Sequence, residues 1–457
     1  MAKNNPRAVS LLIVLLAVLV LGLAAAAVQI GRPDDTGSTT TTTSSTTSLQ
    51  LTEETGDETT PALTTESTTQ DLSASLTLAA SGEVLMHDHV LAGGLTPDGY
   101  DYDYAFEYIR PEIGRADYAI CDMEGTLAGE PYRGWPLFSA PDAVADALAY
   151  AGFDGAIVAN NHILDRGPEG MDRTIRVLQG AGLDTIGVKP DEDTPSWILR
   201  DLNGIKVGLS AWTWETIRQG DNLEIKGLNG LAMPEEAAAR IDSFSLQESP
   251  DFLSEDVRKV AVRVGEMREA GAEVVVFLMH WGVEYSTSED RYAQIYTQAL
   301  ADAGCDIVFG AGPHVIQPVR EIRSTAGDHS MLCFYSVGNQ ISDQYFNTGD
   351  SAGHAEDGLI AVVSLERGWA GDISLTNAGY LATYCSKRRD SETTSRNTII
   401  PIEAALTDPE AHGVSDRVEL LEQSLARTRS IMAENTGSLE VRPLVHLPES
   451  PEAWPED

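Results

Sequence analysis

Positive charge is scarce in this chain. Its 457 residues carry 31 Lys and Arg against 70 Asp and Glu, a formal net charge of -39. That excludes nucleic acid as a partner, because phosphate backbones are bound through Lys and Arg that release counterions. The acid surplus favours solubility and metal cations, and it carries no information about fold. Cysteine is scarce too: Cys121, Cys305, Cys333 and Cys385 lie too far apart for a zinc ribbon. They allow three disulfide pairings or remain buried free thiols, since three of them lie in or beside apolar strands. No Cys stands near the N-terminal apolar run, which excludes a lipoprotein anchor. No internal repeat of solenoid length is present.

The chain does have one long apolar run, residues 8–30, preceded by Lys3 and Arg7 and followed by Asp34 and Asp35. At 1.5 Å per residue it reaches about 34 Å, enough for a hydrocarbon core of about 30 Å. Residues 1–31 are therefore expected to be a signal anchor, with a cleaved signal peptide and a secreted product as the alternative. The charge flanks place the remainder outside the cytoplasm. Residues 32–73 are rich in Thr and Ser and bury too little apolar area to offset their ordering entropy, so a disordered stalk is expected.

From residue 76 onward short apolar runs alternate with helical patterns: 76–80, 119–121, 155–159, 207–212, 274–279, 307–310, 332–337 and 359–365, with helices expected at 141–151, 254–270 and 290–303. That alternation predicts an α/β domain over residues 74–401. Strands from residue 331 follow one another without helices, which predicts hairpins and a partly antiparallel second sheet. Residues 402–457 are expected to be a peripheral tail with one amphipathic helix at 415–434.

Chemistry collects at the ends of the strands. The run at 155–159 leads into Asn160, Asn161, His162 and Asp165, a carboxamide, an imidazole and a carboxylate in a strand-to-helix loop. Open α/β sheets bind ligands at that end. Asn161 offers an oxygen to a metal, His162 a site for a proton, and Asp165 a partner that fixes the imidazole tautomer. Four other strands end in Glu83, Glu124, His280 and His314. Each alone has an ordinary explanation as a loop acid or a hydrogen-bonded core imidazole. Their recurrence at the same end of consecutive strands is how a divalent metal site is assembled.

With Gly82-Glu83-Val84-Leu85-Met86-His87, Asp122-Met123-Glu124-Gly125, Ala159 to Asp165 with Gly167, His280 to Tyr285, Gly310 to His314 with Gln317-Pro318, and Tyr335 to Asn339, the sequence resembles the CapA family of poly-γ-glutamate capsule biosynthesis proteins. The resemblance implies a four-layer α/β/β/α metallophosphatase-like sandwich of two mixed sheets. It implies one or two divalent ions among Mn, Mg, Ca or Zn, with Glu83 and His314 at the first, Asn161 and His280 at the second, Glu124 bridging, and His162 as proton donor. Two positions depart from the family pattern: Glu83 stands for Asp, and Gly312 for a His ligand. His87 or Glu284 is expected to compensate. Because Gly312 precedes Pro313, extended dihedrals open to histidine are expected there.

Two functions follow from the resemblance. One is a membrane-tethered protein of capsule polymer biosynthesis or export, acting with other subunits of a synthesis complex. The other is a metal-dependent extracellular hydrolase of a phosphoester or an amide-linked acidic polymer. Lys387, Arg388 and Arg389 form the one evident basic patch for such a polymer.

Overall fold

Two mixed sheets carry the fold, and the apolar runs of the sequence supply their strands. The computed structural model describes residues 74–457 except 216–226, 246–249, 346–353, 390, 436, 451–452 and 455–457. The described residues belong to one compact unit, Gln70–Asp457. The expected anchor and stalk lie outside the described residues, among which no helix is long and apolar enough to cross a membrane.

The strands of these two sheets are, in chain order, β1 (Ser75–Val84), β2 (Tyr118–Asp122), β3 (Gly155–Ile157), β4 (Asp184–Ile186), β5 (Ile198–Leu202), β6 (Ile205–Glu215), β7 (Ser243–Ser245), β8 (Val274–His280), β9 (Ile307–Ala311), β10 (Val319–Arg323), β11 (Ser330–Phe334), β12 (Asn339–Ile341), β13 (Asp357–Arg367), β14 (Ile373–Arg389), β15 (Ser395–Pro401) and β16 (Val441–Pro443). The principal helices are α1 (Ala143–Ala151), α2 (Gly167–Gly180), α3 (Pro250–Glu269), α4 (Arg291–Ala303), α5 (Ile402–Thr407) and α6 (Val418–Met432). The first sheet runs β15-β14-β13-β1-β2-β3-β4, with β12 beside β1 and β16 beside β14; the second runs β7-β6-β8-β9-β11-β10, with β5 beside β6.

Alternation along β8 explains the layering. Val274, Val276 and Leu278 enter the large core shared with the first sheet, while Val275, Phe277 and Met279 enter a second core with Val260, Val264 and Met267 of α3 and Tyr296 and Leu300 of α4. A strand buried on both faces needs apolar residues at every position, and β8 reads VVVFLM before its terminal His280. α4 starts where the sequence directs: Asp290 accepts from Tyr292 N and Ala293 N at 2.7 and 2.9 Å.

Two expectations need correction. The late hairpins do not build a sheet of their own. β13, β14 and β15 form an antiparallel extension of the sheet that contains β1, and of these late strands only β11 joins the other sheet, where β10 with β11 and β5 with β6 are the antiparallel pairs. Nor is the tail peripheral. β16 pairs in parallel with β14, Trp454 Nε1 donates to Ser364 Oγ at 2.8 Å, and Arg427 of α6 grips Asp357 of β13 through two bonds of 2.7 Å. A composition that thins in apolar residues still docks when its few large ones and its ion pairs meet a sheet face. All four cysteines are buried free thiols.

Candidate metal centre

Parallel strands from both sheets bring their carboxyl ends to one place. In β1 the register with β2 shifts between Ala80 and Glu83, a bulge that re-aims the strand end. Gly82 makes this possible, because a Cβ there would sit 1.6 Å from Gly338 O. Glu83 then lies opposite Asp122 of β2 and Asn339 of β12. Its Oε1 accepts from Gly312 N, and its buried Oε2 has no partner. Glu124 follows β2 by two residues, fully buried, with both carboxylate oxygens unpartnered.

Glu124 is the hub of what surrounds it. On one side, His314 Nδ1 stands 3.8 Å from Glu124 Oε2 and 4.0 Å from Glu83 Oε1. On the other, His280 Nε2 and His162 Nε2 each lie 3.8 Å from Glu124 Oε1. These are not hydrogen bonds. Two donors that each sit about 2.1 Å from a shared cation are separated by at most about 4.2 Å, which is the spacing found here. His280 Nε2 and His314 Nδ1 are themselves buried without hydrogen-bond partners, as is Asn161 Oδ1 in the turn after β3. Buried polar groups are seldom left so, and this many at one place fit a divalent cation. Glu83, Glu124 and His314 form the tightest three-donor set among the described residues.

The electrostatics carry the same meaning. Burial, with Asp122 beside it, pushes the Glu83 carboxyl up to about 7. Burial and the neighbouring Glu83 and Asp122 hold Glu124 well above the ordinary carboxylate range, and burial with His280 nearby holds His314 well below the ordinary imidazole range. Carboxylates gathered in a dry site repel one another until a cation neutralises them.

The imidazoles are oriented from behind. His280 Nδ1 faces Asp122 Oδ2 at 2.7 Å, and Asn160 Nδ2 donates to the other oxygen of Asp122 at 3.2 Å. His162 Nδ1 faces Asp165 Oδ2 at 2.7 Å, with the ring edge-on to Phe138. Such carboxylate partners fix the tautomer and raise the basicity of the nitrogen that faces the site. Tyr285 packs on His314, and Gln344 Nε2 donates to the Tyr285 hydroxyl at 3.1 Å. Asn229, Tyr285 and His314 all have positive φ, so strained backbone gathers around this cleft.

Some expected residues have other places. Glu284 is exposed and acts on Glu124 only through its charge. His87 is turned toward Phe138, its Nδ1 accepting from Asp343 N at 3.3 Å, and does not join the three-donor set. Gly312 has a φ of +110°, and a Cβ there would stand 2.5 Å from Trp281 O. The extended geometry expected from the following proline is therefore absent, and histidine does not fit this backbone. The basic triplet is spent internally: Lys387 on Glu356 at 3.0 Å, Arg388 on Asp416 at 2.8 Å, and Arg389 on the Tyr345 hydroxyl at 2.6 Å. Asp122 was visible in the sequence as a second acid at the same strand end. Asn229, 67 residues from His162, gave no signal.

A family model described as bacterial capsule synthesis protein PGA_cap matches residues 77–344, more than half of the chain. The chain belongs to this family. As a capsule synthesis family protein it is 27% identical over 285 residues to the capsule biosynthesis protein CapA of Bacillus anthracis, covering 61% of this chain and 62% of that one. It is 27% identical over 259 residues to the PGA biosynthesis protein CapA of Bacillus subtilis, covering 55% and 60%. A probable polyglutamine synthesis accessory protein of Mycobacterium tuberculosis is 25% identical over 250 residues, covering 53% and 60%. The chain thus spans less than two thirds of these relatives. The NAD nucleotidase of Haemophilus influenzae has a distant likeness, with a TM-score of 0.37 and 10% identity over 82% of this chain and 65% of that one. Every donor around Glu124, from Glu83 to His314, falls inside the matched region of this capsule synthesis family protein.

Proposed function

We propose that this protein serves capsule polymer biosynthesis as a membrane-tethered, extracytoplasmic, metal-dependent hydrolase of metallophosphatase-like fold. One observation carries the catalytic part: the fully buried Glu124 carboxylate, with no hydrogen-bond partner on either oxygen, between His314 on one side and His280 and His162 on the other. Glu83, Glu124 and His314 would hold one divalent ion; Glu124, His280 and Asn161 would hold a second. The ion would supply Lewis acidity to a phosphoryl or amide carbonyl oxygen of the substrate. His162 would move a proton at Nε2, because Asp165 occupies Nδ1. A formal net charge of -39 repels polyanions, so the cation itself would be the attraction for an acidic substrate.

Elemental analysis and titration calorimetry of the purified full chain with Mn²⁺ and Zn²⁺ test this reading. The wild type should bind at least one ion, and Glu124→Gln should abolish binding while leaving the fold intact. Undiminished binding in Glu124→Gln would overturn it. A second reading, a non-catalytic subunit of a polymer synthesis complex, is favoured by Gly312, which removes a family ligand and whose backbone excludes its return. Metal binding without turnover of phosphoester or amide-linked oligomers would favour that one.

A further inference from the structure

The pair Gly227–Leu228 and Leu231–Ala232 forms a small hairpin that turns on Asn229 and Gly230, with φ of +46° and +71°. An Asn-Gly turn needs such dihedrals, and that need accounts for the residue type. It does not account for where the side chain goes. Asn229 Nδ2 donates to Asp165 Oδ1 at 2.8 Å and to Pro136 O at 2.9 Å, and it lies 3.1 Å from His162 Nδ1.

Both of those acceptors lack hydrogens, so the amide can present only its NH₂ group to them. Its two hydrogens are then used, and neither remains for His162 Nδ1. Asp165 Oδ2 meanwhile accepts from Phe138 N at 2.7 Å and faces His162 Nδ1 at 2.7 Å. A neutral imidazole carries one N–H, and Nδ1 here meets an acceptor and an amide nitrogen that has no hydrogen left to give. The proton belongs on Nδ1. The other nitrogen, Nε2, is left as a lone pair 3.8 Å from Glu124 Oε1.

We propose that Asn229 is a positioning residue: by holding Asp165 Oδ1 it locks neutral His162 in the Nδ1–H tautomer and presents an unprotonated Nε2 to the metal cleft. Neutral His162 is thus a base or ligand toward the cleft, and it donates a proton there only after first receiving one. The inference stands on the geometry of Asn229, Asp165 and His162 and holds whether or not the protein is a hydrolase.

Tautomers are read directly from long-range ¹⁵N–¹H correlations. The full chain, labelled with ¹⁵N-histidine and free of metal, is measured at pH 8, and His162→Gln identifies the signals of His162. The wild type should show the Nδ1–H pattern alone. Asn229→Gly keeps the positive-φ turn and deletes the amide; it should average the two nitrogens of His162 and leave the other histidines unmoved. Asn229→Ala deletes the same amide and adds no acceptor, and it should move the same signals in the same way. A wild-type Nε2–H pattern overturns the proposal. So does a pure Nδ1–H pattern in Asn229→Gly, or, if that variant fails to fold, in Asn229→Ala.

Discussion

Asp122 Oδ2 stands 2.7 Å from His280 Nδ1, although 158 residues and two different sheets separate them. Both side chains are fully buried, so the contact determines which imidazole nitrogen faces Glu124. Asp122→Asn keeps the shape and removes the charge. Divalent-ion affinity, measured by calorimetry, should fall by about 10- to 100-fold, the usual effect of losing a carboxylate behind a ligating histidine. Unchanged affinity would show that His280 does not ligate.

Gly312→His should fail to improve the site. At a φ of +110° with Trp281 O only 2.5 Å from the new Cβ, the substitution must move backbone that also donates to Glu83. A cost of about 1–3 kcal/mol in urea unfolding is expected, on the usual scale for backbone held in a sparsely populated region. Metal affinity should fall with it; a gain in affinity with unchanged stability would contradict this geometry.

Metal uptake should release protons. Without metal, burial raises Glu83 to about 7, so near pH 6 its carboxyl holds a proton that a cation must displace, and burial beside Glu83 and Asp122 shifts Glu124 in the same direction. Burial holds His314 well below the ordinary imidazole range, which works against its contributing protons. Calorimetry at pH 6 in two buffers of different ionisation enthalpy should report release of at least one proton per ion, declining as the pH rises through about 7. Equal heats in both buffers would contradict this.

The C-terminal helix should give stability a pH dependence through Asp357. Its carboxyl accepts from Ser424 at 2.6 Å and from Arg427 at 2.7 Å, yet burial raises it from 3.8 to about 6. The folded protein therefore keeps a proton that the unfolded chain has lost. This contribution is full below about pH 4 and disappears as the pH rises through about 6, by about 3 kcal/mol at about 1.4 kcal/mol per unit. Urea unfolding of the wild type minus that of Asp357→Asn, measured from pH 4 to 7, isolates it; a flat difference would show that the carboxyl stays ionised throughout.

Protease added to intact cells should remove the domain if residues 8–30 anchor it outside the cytoplasm. Cleavage only after the cells are broken would place it inside.

Eight of the sixteen strands and most of the principal helices were legible in the sequence, because a doubly buried strand such as β8 must be apolar throughout and α4 announces itself with Asp290. So were the donors, since each follows directly on an apolar run and needs only local pattern to be noticed. Their mutual geometry was not. Glu83 receives Gly312 N from 229 residues away, His280 meets Asp122 across two sheets, and Asn229 reaches His162 from a hairpin tip. The left-handed backbone of Gly312 overrode the bias of the following proline, because close approach to Trp281 decides that loop. Local periodicity reports which face of an element is dry. Which buried groups meet there depends on register, bulges and the packing of one sheet on another, and only the tertiary structure supplies those.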